Sequence, residues 1–220
     1  MTAQTGPTTS ADSTPPVADP FAASEAHTAV HAAALEAIGA TFGAALVETI
    51  GFRGETTLVV ERAPIVAMLT LLREHPATRL DRLSDLTAVD YLDLPQADGR
   101  PRFAVVYHLM SRGSYARLRL RALVPEEEPW IDSVTSAYPS ANWLEREVFD
   151  LFGIAFRGHP DLKRIVLPDD WDGHPLRKDF PIGAEEVEFS FNREVIAAER
   201  PQTLREREER YRTNHSVNNS

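Results

Sequence analysis

The chain has 220 residues, of which 43% are hydrophobic and 25% charged, and its 33 acidic and 23 basic residues give a formal net charge of −10. This length and composition are typical of one ordinary globular domain with flanking segments. The acidic balance argues against a nucleic-acid-binding protein, which requires a basic face. The absence of cysteine excludes disulfides, zinc–thiolate sites, cysteine nucleophiles and cysteine-ligated iron–sulfur clusters within these residues.

Residues 1–25 are predicted to form a disordered tail, because Pro, Ser, Thr and Gly are frequent there and bury little apolar surface. They have neither the basic and apolar regions of a secretory signal nor the arginines of a mitochondrial presequence. No segment of the sequence approaches the roughly 20 apolar residues that span a bilayer. We therefore expect a reducing compartment, most simply a bacterial cytoplasm.

Residues 26–185 are predicted to fold as one α+β domain, in which a mixed sheet has helices packed on one side. Apolar residues at helical spacing predict helices at 26–38, 64–74 and 143–152, and a further helix is predicted at 129–137, with acidic residues near its N-terminal end. Runs of β-branched or alternating apolar residues predict strands at 56–61, 83–91, 102–111 and 115–124. In the last strand, small and apolar residues alternate with Arg117, Arg119 and Arg121, so that one face would be buried and the other exposed to water or to an acidic partner.

The stretch 142–182 holds the highest density of side chains that could carry chemistry. His159 and His174 lie in two Gly-His-Pro loops, and with nearby aspartates such as Asp161, Asp169 or Asp170 they could bind zinc, manganese or iron. Their spacing is not that of a common metal motif, and histidines in such loops more often hydrogen-bond a carbonyl or a carboxylate.

A second hypothesis uses Glu147 and Asp150, which lie three residues apart on the helix 143–152, as a general acid and base. Carboxylates beside several arginines are more often held in salt bridges. Gly153 is predicted to end this helix as its C-terminal cap. The sequence contains no recognisable nucleotide-binding loop or nucleophile elbow. The aromatic residues, paired charges and prolines of 142–182 instead favour a protein interface.

Three runs in this stretch carry a resemblance to a known family. They are EREVFDLFGI at 145–154, GHPDLKRI at 158–165 and DDWDGHPLRKDFP at 169–181. Together with LTAVDY at 86–91 and the paired strands, they resemble the thirty-kilodalton subunit of NADH-quinone oxidoreductase, which is respiratory complex I. The resemblance covers residues 30–185.

The resemblance implies a non-catalytic, cofactor-free structural subunit in the peripheral arm of a proton-pumping NADH:quinone oxidoreductase. In that enzyme electrons pass from NADH through FMN and Fe-S clusters, held by other subunits, to a membrane quinone. The implied partners are the large subunit of the peripheral arm and a cluster-bearing subunit beside it, on the cytoplasmic side of the bacterial cell membrane. Alternatives are the equivalent subunit of a membrane-bound NiFe hydrogenase or related dehydrogenase, a stand-alone metal hydrolase using His159 and His174, and a stand-alone binding module.

The resemblance assigns no catalytic, cofactor-binding or metal-binding residue to this chain. The signature positions expected to hold the fold and to contact neighbouring subunits are Glu145, Arg146, Glu147, Asp150, His159, Arg164, Asp170, Trp171, His174, Arg177, Lys178 and Asp179. The Pro-rich segment 161–181 is predicted to extend over partners. The charged C-terminal arm, 186–220, is predicted to be either disordered or ordered by a partner.

Overall fold

A mixed five-stranded sheet organises the computed structural model, which describes residues 25–92 and 99–180. In chain order the elements are α1 (Glu25–Phe42), β1 (Leu46–Phe52), β2 (Glu55–Glu61), α2 (Ile65–Glu74), β3 (Arg82–Asp90), β4 (Phe103–Met110), β5 (Arg117–Val124), β6 (Trp130–Asp132), α3 (Ala141–Phe152) and β7 (Ala155–Arg157). A single 3-10 turn, Gly43–Ala45, joins α1 to β1. The predicted C-terminal arm and the predicted N-terminal tail, apart from Glu25, lie outside the described residues.

The strand order in the main sheet is β1-β2-β5-β4-β3. The central pair β2 and β5 is parallel, and the other neighbours are antiparallel. The short strands β6 and β7 form a separate parallel pair. The predicted mixed sheet is therefore confirmed.

Helices α1, α2 and α3 contribute to one apolar core on one face of the main sheet. Val30 of α1, Met68 of α2 and Val148 of α3 belong to the same cluster as Leu118 and Leu120 of β5. A smaller cluster of Val59, Ala104 and Leu123 lies apart from this core. The predicted packing of the helices on one side is confirmed, because the apolar residues of β5 point towards them.

The alternation predicted for β5 is also confirmed. Its apolar residues are buried, whereas Arg117 is exposed and both Arg119 and Arg121 are partly exposed. Glu55 on the neighbouring strand lies 2.6 Å from the guanidinium of Arg119. The arginine face thus carries a cross-strand ion pair that follows from the period of two.

The helix predicted at 129–137 is wrong, since residues Trp130–Asp132 form β6. The guanidinium carbons of Arg62 and Arg157 lie 3.9 Å and 3.0 Å from the centre of the Trp130 ring. Arg62 also donates to the main-chain oxygen of Trp130 at 3.1 Å. These partners are remote in sequence, and they hold the segment extended against the local helical pattern.

The sequence analysis also missed strand β1. It pairs with β2 through a two-residue turn in which Arg53 and Gly54 have φ of 50° and 76°. Two successive positive φ angles are typical of the type I′ hairpin turn. In the sequence, the pair Arg53-Gly54 was the feature that could have indicated this hairpin.

Within residues 25–92 and 99–180, no helix combines the length and the hydropathy that crossing a membrane would require.

Candidate partner-binding site around helix α3

Helix α3 carries charged side chains on buried positions as well as apolar ones. Val148 and Phe152 pack into the core, as predicted from their spacing. Glu145 and Asp150 have no exposed surface, and Arg146 is 8% exposed. Because a buried charge is costly unless it is paired or hydrogen-bonded, each of these three side chains requires specific partners.

Glu145 lies on the core side of α3 and holds the loop that follows β6. Its carboxyl group accepts hydrogen bonds of 2.7 Å from the Ser133 hydroxyl and from the Val134 amide. Burial raises the pKa of Glu145 to about 7, although the two hydrogen bonds act in the opposite direction. Glu145 therefore joins α3 to a segment that sequence reasoning assigned to a helix.

Arg146 holds the chain on the other side of the helix. Its guanidinium donates to the main-chain oxygens of Lys163 and Arg164, both at 3.1 Å. The same guanidinium lies 5.0 Å from the centre of the Trp143 ring. The guanidinium of Arg146 thus binds two successive main-chain carbonyls and holds residues 163 and 164 against α3.

Asp150 organises the next residues of that path. One carboxylate oxygen accepts the amides of Ile165, Val166 and Leu167 at 3.0, 2.8 and 2.9 Å. The other oxygen accepts the guanidinium of Arg164 at 2.8 Å. Burial alone would raise the pKa of Asp150, but these four hydrogen bonds outweigh it and lower the pKa below the usual value.

The segment 174–177 caps the C-terminal end of α3. The helix ends at Gly153, which has φ of 72° and donates to the Phe149 carbonyl at 3.0 Å, confirming the predicted cap. The three following carbonyls accept from the ring of His174 at 2.8 Å, the amide of Leu176 at 3.1 Å and the guanidinium of Arg177 at 2.6 Å. Each of the last four carbonyls of the helix therefore has a donor.

Gly153 also makes room for this cap. A Cβ atom at this position would lie 2.5 Å from two ring atoms of His174 and 2.7 Å from the guanidinium of Arg177. The glycine is required both by its left-handed backbone and by this close approach. Burial, more than the neighbouring cations Arg177 and Arg164, lowers the pKa of His174.

The far end of the segment is tied to the sheet. The amide of Lys178 donates at 2.9 Å to Asp90, which lies at the end of β3. Asp90 is itself buried in an ion pair of 2.7 Å with Arg102. Burial would raise the pKa of Asp90, yet the hydrogen bonds from Arg102 and Lys178 lower it overall. The part of the predicted extended segment from 163 to 178 thus lies against its own domain.

The two histidines do not converge on a metal site. His159 donates from Nε2 to the Asn142 carbonyl at 3.1 Å and accepts the Asp161 amide at Nδ1, 3.0 Å away. Both of its ring nitrogens are thus occupied, and His174 donates from Nδ1 to a carbonyl. Among the residues that the structure describes, no three His, Asp or Glu side chains are placed to hold an ion. The expectation that histidines in Gly-His-Pro loops form hydrogen bonds with carbonyls is confirmed for His159 and His174.

The acid–base hypothesis for Glu147 and Asp150 finds no matching geometry. Asp150 is buried and saturated with hydrogen bonds, whereas Glu147 is exposed.

The remaining signature positions differ in burial. Asp170, Lys178 and Asp179 are exposed, as Glu147 is. Trp171 is partly buried, and its carbonyl accepts from Arg164 at 3.1 Å. The signature positions thus comprise three buried residues, four exposed residues and a partly buried group made up of His159, Arg164, Trp171, His174 and Arg177.

Sequence reasoning missed the residues that receive these contacts from elsewhere in the chain. Two of these residues are Ser133 and Val134, which bind Glu145 of α3, and the third is Asp90, which binds the amide of Lys178. None of them lies in the stretch 142–182. Asp90 lies within the upstream run 86–91, which was the available signal for it. For Ser133 and Val134 the sequence offered no signal, because their role depends on the path of the chain after β6.

The geometry defines an α+β domain with a charged signature segment fastened along one helix. The family described as "Respiratory-chain NADH dehydrogenase, 30 Kd subunit" matches residues 58–186, and the chain belongs to this family. A protein of Roseiflexus sp. (strain RS-1) that is named as a subunit of NADH-quinone oxidoreductase is 46% identical over 172 residues, which cover 78% of this chain and 95% of that protein.

Two solved structures are similar to the chain. One is described as "Nqo5 of the trypsin-resistant fragment (1-134) in P63 form"; it is 38% identical, with a TM-score of 0.51, over 60% of this chain and 99% of that one. The other belongs to "the membrane-bound sulfane sulfur reductase (MBS), an archaeal respiratory membrane complex"; it is 25% identical, with a TM-score of 0.55, over 70% of this chain and 85% of that one. The resemblance seen in the sequence is confirmed.

Proposed function

We propose that the chain is a structural subunit of the peripheral arm of a proton-pumping NADH:quinone oxidoreductase, and that it carries neither an active site nor a cofactor. In this assignment FMN and the Fe-S clusters belong to partner subunits, and this chain helps to hold them in place. The observation that carries the proposal is the family match over residues 58–186. These residues contain every contact of the α3 network, by which we mean the hydrogen bonds that Glu145, Arg146, Asp150 and the cap 174–177 make.

The chemistry of the network supports a structural role. Its buried carboxylates and guanidiniums are bound to main-chain groups of the same domain, so they are not free to bind or to protonate a substrate. The partners that we propose are the large subunit of the peripheral arm and the cluster-bearing subunit beside it, on the cytoplasmic side of a bacterial cell membrane. The exposed signature residues Glu147, Asp170, Lys178 and Asp179 are the proposed contacts with them.

The experiment is affinity purification of the tagged full chain from detergent-solubilised membranes of its own host, followed by mass spectrometry and activity assays. We expect flavin- and cluster-bearing subunits together with NADH-dependent quinone reduction. Recovery of the chain alone, with tightly bound metal and hydrolase activity, would overturn the proposal and restore His159 and His174 as candidate ligands.

A second candidate is the equivalent subunit of a related membrane-bound complex. The structural likeness to the chain from the archaeal sulfane sulfur reductase favours it. The same purification separates the two, since a nickel–iron or sulfur-reducing large subunit would keep the structural role and change the reaction.

A further inference from the structure

Two aliphatic side chains stand exposed on a turn that the fold holds in place. Ile165 is 38% exposed and Val166 is 58% exposed. Their amides donate at 3.0 and 2.8 Å to the same oxygen of Asp150, which has no exposed surface. A turn held by a buried carboxylate loses little further freedom when a partner binds it. The fold therefore presents apolar groups to the outside in one defined arrangement.

An exposed tryptophan lies on the same surface. Trp143 is 61% exposed. Arg146 connects it to the turn, because its guanidinium lies 5.0 Å from the Trp143 ring centre and donates to the Arg164 carbonyl at 3.1 Å. Trp143 and Asp150 are seven positions apart, which places them on one side of the helix. Trp143, Ile165 and Val166 thus lie exposed on the same side of α3, along which Arg146 and Asp150 hold the segment 163–167.

This surface also carries an acidic group. Glu147 is four residues after Trp143, on the same side of α3, and it is exposed. Within the described ranges it has neither an ion pair nor a hydrogen bond. The nearby basic residue Lys163 is neutralised by Asp161 at 2.9 Å. Glu147 therefore presents a carboxylate without an ion pair beside the apolar groups, whereas the guanidinium of Arg146 is buried and bound to main-chain oxygens.

We propose that Trp143, Glu147, Ile165 and Val166, here named the α3 patch, dock into an apolar pocket of another subunit of the same complex. The partner surface carries an arginine or lysine that pairs with Glu147. Tryptophan at the centre of an interface and a charge at its edge are typical of protein partners. The proposal rests on the proposed function and names the residues that perform it.

The test compares the α3 patch with matched exposed residues on β1. Trp143→Ala and Val166→Asp are paired with Phe52→Ala and Val47→Asp, because Phe52 is 67% exposed and Val47 is 45% exposed. Each tagged full-length variant is purified from host membranes, and the partner subunits recovered per tagged chain are quantified by mass spectrometry. We expect at least a tenfold loss for both patch variants and less than a twofold change for both controls.

Folding is measured separately on each purified chain by circular dichroism. The patch variants should keep the thermal midpoint of the wild type, since their side chains are exposed. Equal recovery of partners by patch and control variants would overturn the proposal. Absence of partners from the wild-type sample would instead refute the proposed function, so the two failures are distinguishable.

The charge of the partner is tested by reversal. Glu147→Lys is compared with Glu36→Lys, which makes the same change of charge at an exposed position of α1. We expect at least a fivefold loss of partners for Glu147→Lys and none for Glu36→Lys. Equal effects would overturn the basic character of the partner. A dimer of the isolated chain that Val166→Asp dissociates would show a second copy as the occupant and overturn the proposal.

Discussion

The five-stranded sheet and the signature segment 158–178 are held in place by different interactions. In the sheet, alternate residues such as Leu118 and Leu120 are buried in a continuous apolar core. In the segment no residue is fully buried, and the chain follows no regular secondary structure. It is fastened instead by hydrogen bonds to buried charges and helix carbonyls. The comparison shows that shape matters most in the sheet, whereas charge and hydrogen-bonding capacity matter most in the segment.

The largest difference in the free energy of unfolding is expected between two substitutions, one in the segment and one in the sheet, that both conserve the shape of the side chain. Asp150→Asn removes the charge that accepts three amides and Arg164, and we expect a loss of about 3 kcal/mol in the free energy of unfolding. Leu120→Met conserves volume and should cost less than about 1.5 kcal/mol. Urea denaturation measures both, and hydrogen exchange should show opening of residues 164–167 only in Asp150→Asn. A smaller loss for Asp150→Asn than for Leu120→Met would contradict the comparison.

The two buried carboxylates of α3 should respond to pH in opposite directions. The pKa of Glu145 is raised to about 7 in the folded chain. Its contribution to stability is therefore complete when the pH is below the pKa of this side chain in the unfolded chain, and it is lost as the pH rises through about 7. The pKa of Asp150 is lowered in the folded chain. Its contribution to stability is therefore present when the pH is above the pKa of this side chain in the unfolded chain, and it is lost as the pH falls through the lowered pKa of the folded chain.

The test of this pH dependence uses Glu145→Gln, which stays neutral. Between pH 5 and pH 8 the wild type should lose up to about 3 kcal/mol relative to this variant in urea denaturation. Glu147→Gln is the control, because it makes the same change of side chain at an exposed position of the same helix. A wild-type profile parallel to that of Glu145→Gln would show that Glu145 is not a source of pH dependence.

Two glycines separate the cost of backbone strain from the cost of the cap. Gly153 and Gly158 both have positive φ, at 72° and 78°, but only at Gly153 would a Cβ meet neighbouring atoms. We expect Gly158→Ala to cost about 1 kcal/mol and Gly153→Ala about 2 to 3 kcal/mol. Thermal unfolding of both variants checks the difference. If the two variants lost equal stability, the packing of His174 against the helix end would contribute nothing.

The smallest expected difference lies between neighbouring cations. Arg177→Ala leaves the Phe152 carbonyl without its donor at 2.6 Å and should cost about 1 to 2 kcal/mol. Lys178→Ala removes an exposed side chain, while the amide that binds Asp90 remains, and should change stability by less than about 0.5 kcal/mol. Denaturation of the isolated chains measures both. A larger loss for Lys178→Ala would show that the side chain, rather than the amide, anchors the segment.

Much of the fold was predictable from the sequence because its signals are local. The apolar spacing of α2 and α3, the alternation in β5 and the glycine at 153 each depend on a few neighbouring residues. The prediction failed at 129–137, where Arg62 and Arg157 hold Trp130 extended from remote positions. It also missed β1, an edge strand whose clearest signal was the two-residue turn that joins it to β2.

The candidate site was predictable as a set of positions but not as an arrangement. The signature runs identified the family, and the match over residues 58–186 confirms it. Only the tertiary structure distinguished Glu145 and Asp150, which are buried, from Glu147, which lies exposed between them in sequence. Apolar burial follows the period of a helix or strand, so the sequence by itself determines it. The partner of a charge depends on which remote main-chain groups the fold brings within about 3 Å, and that is decided only when the chain has folded.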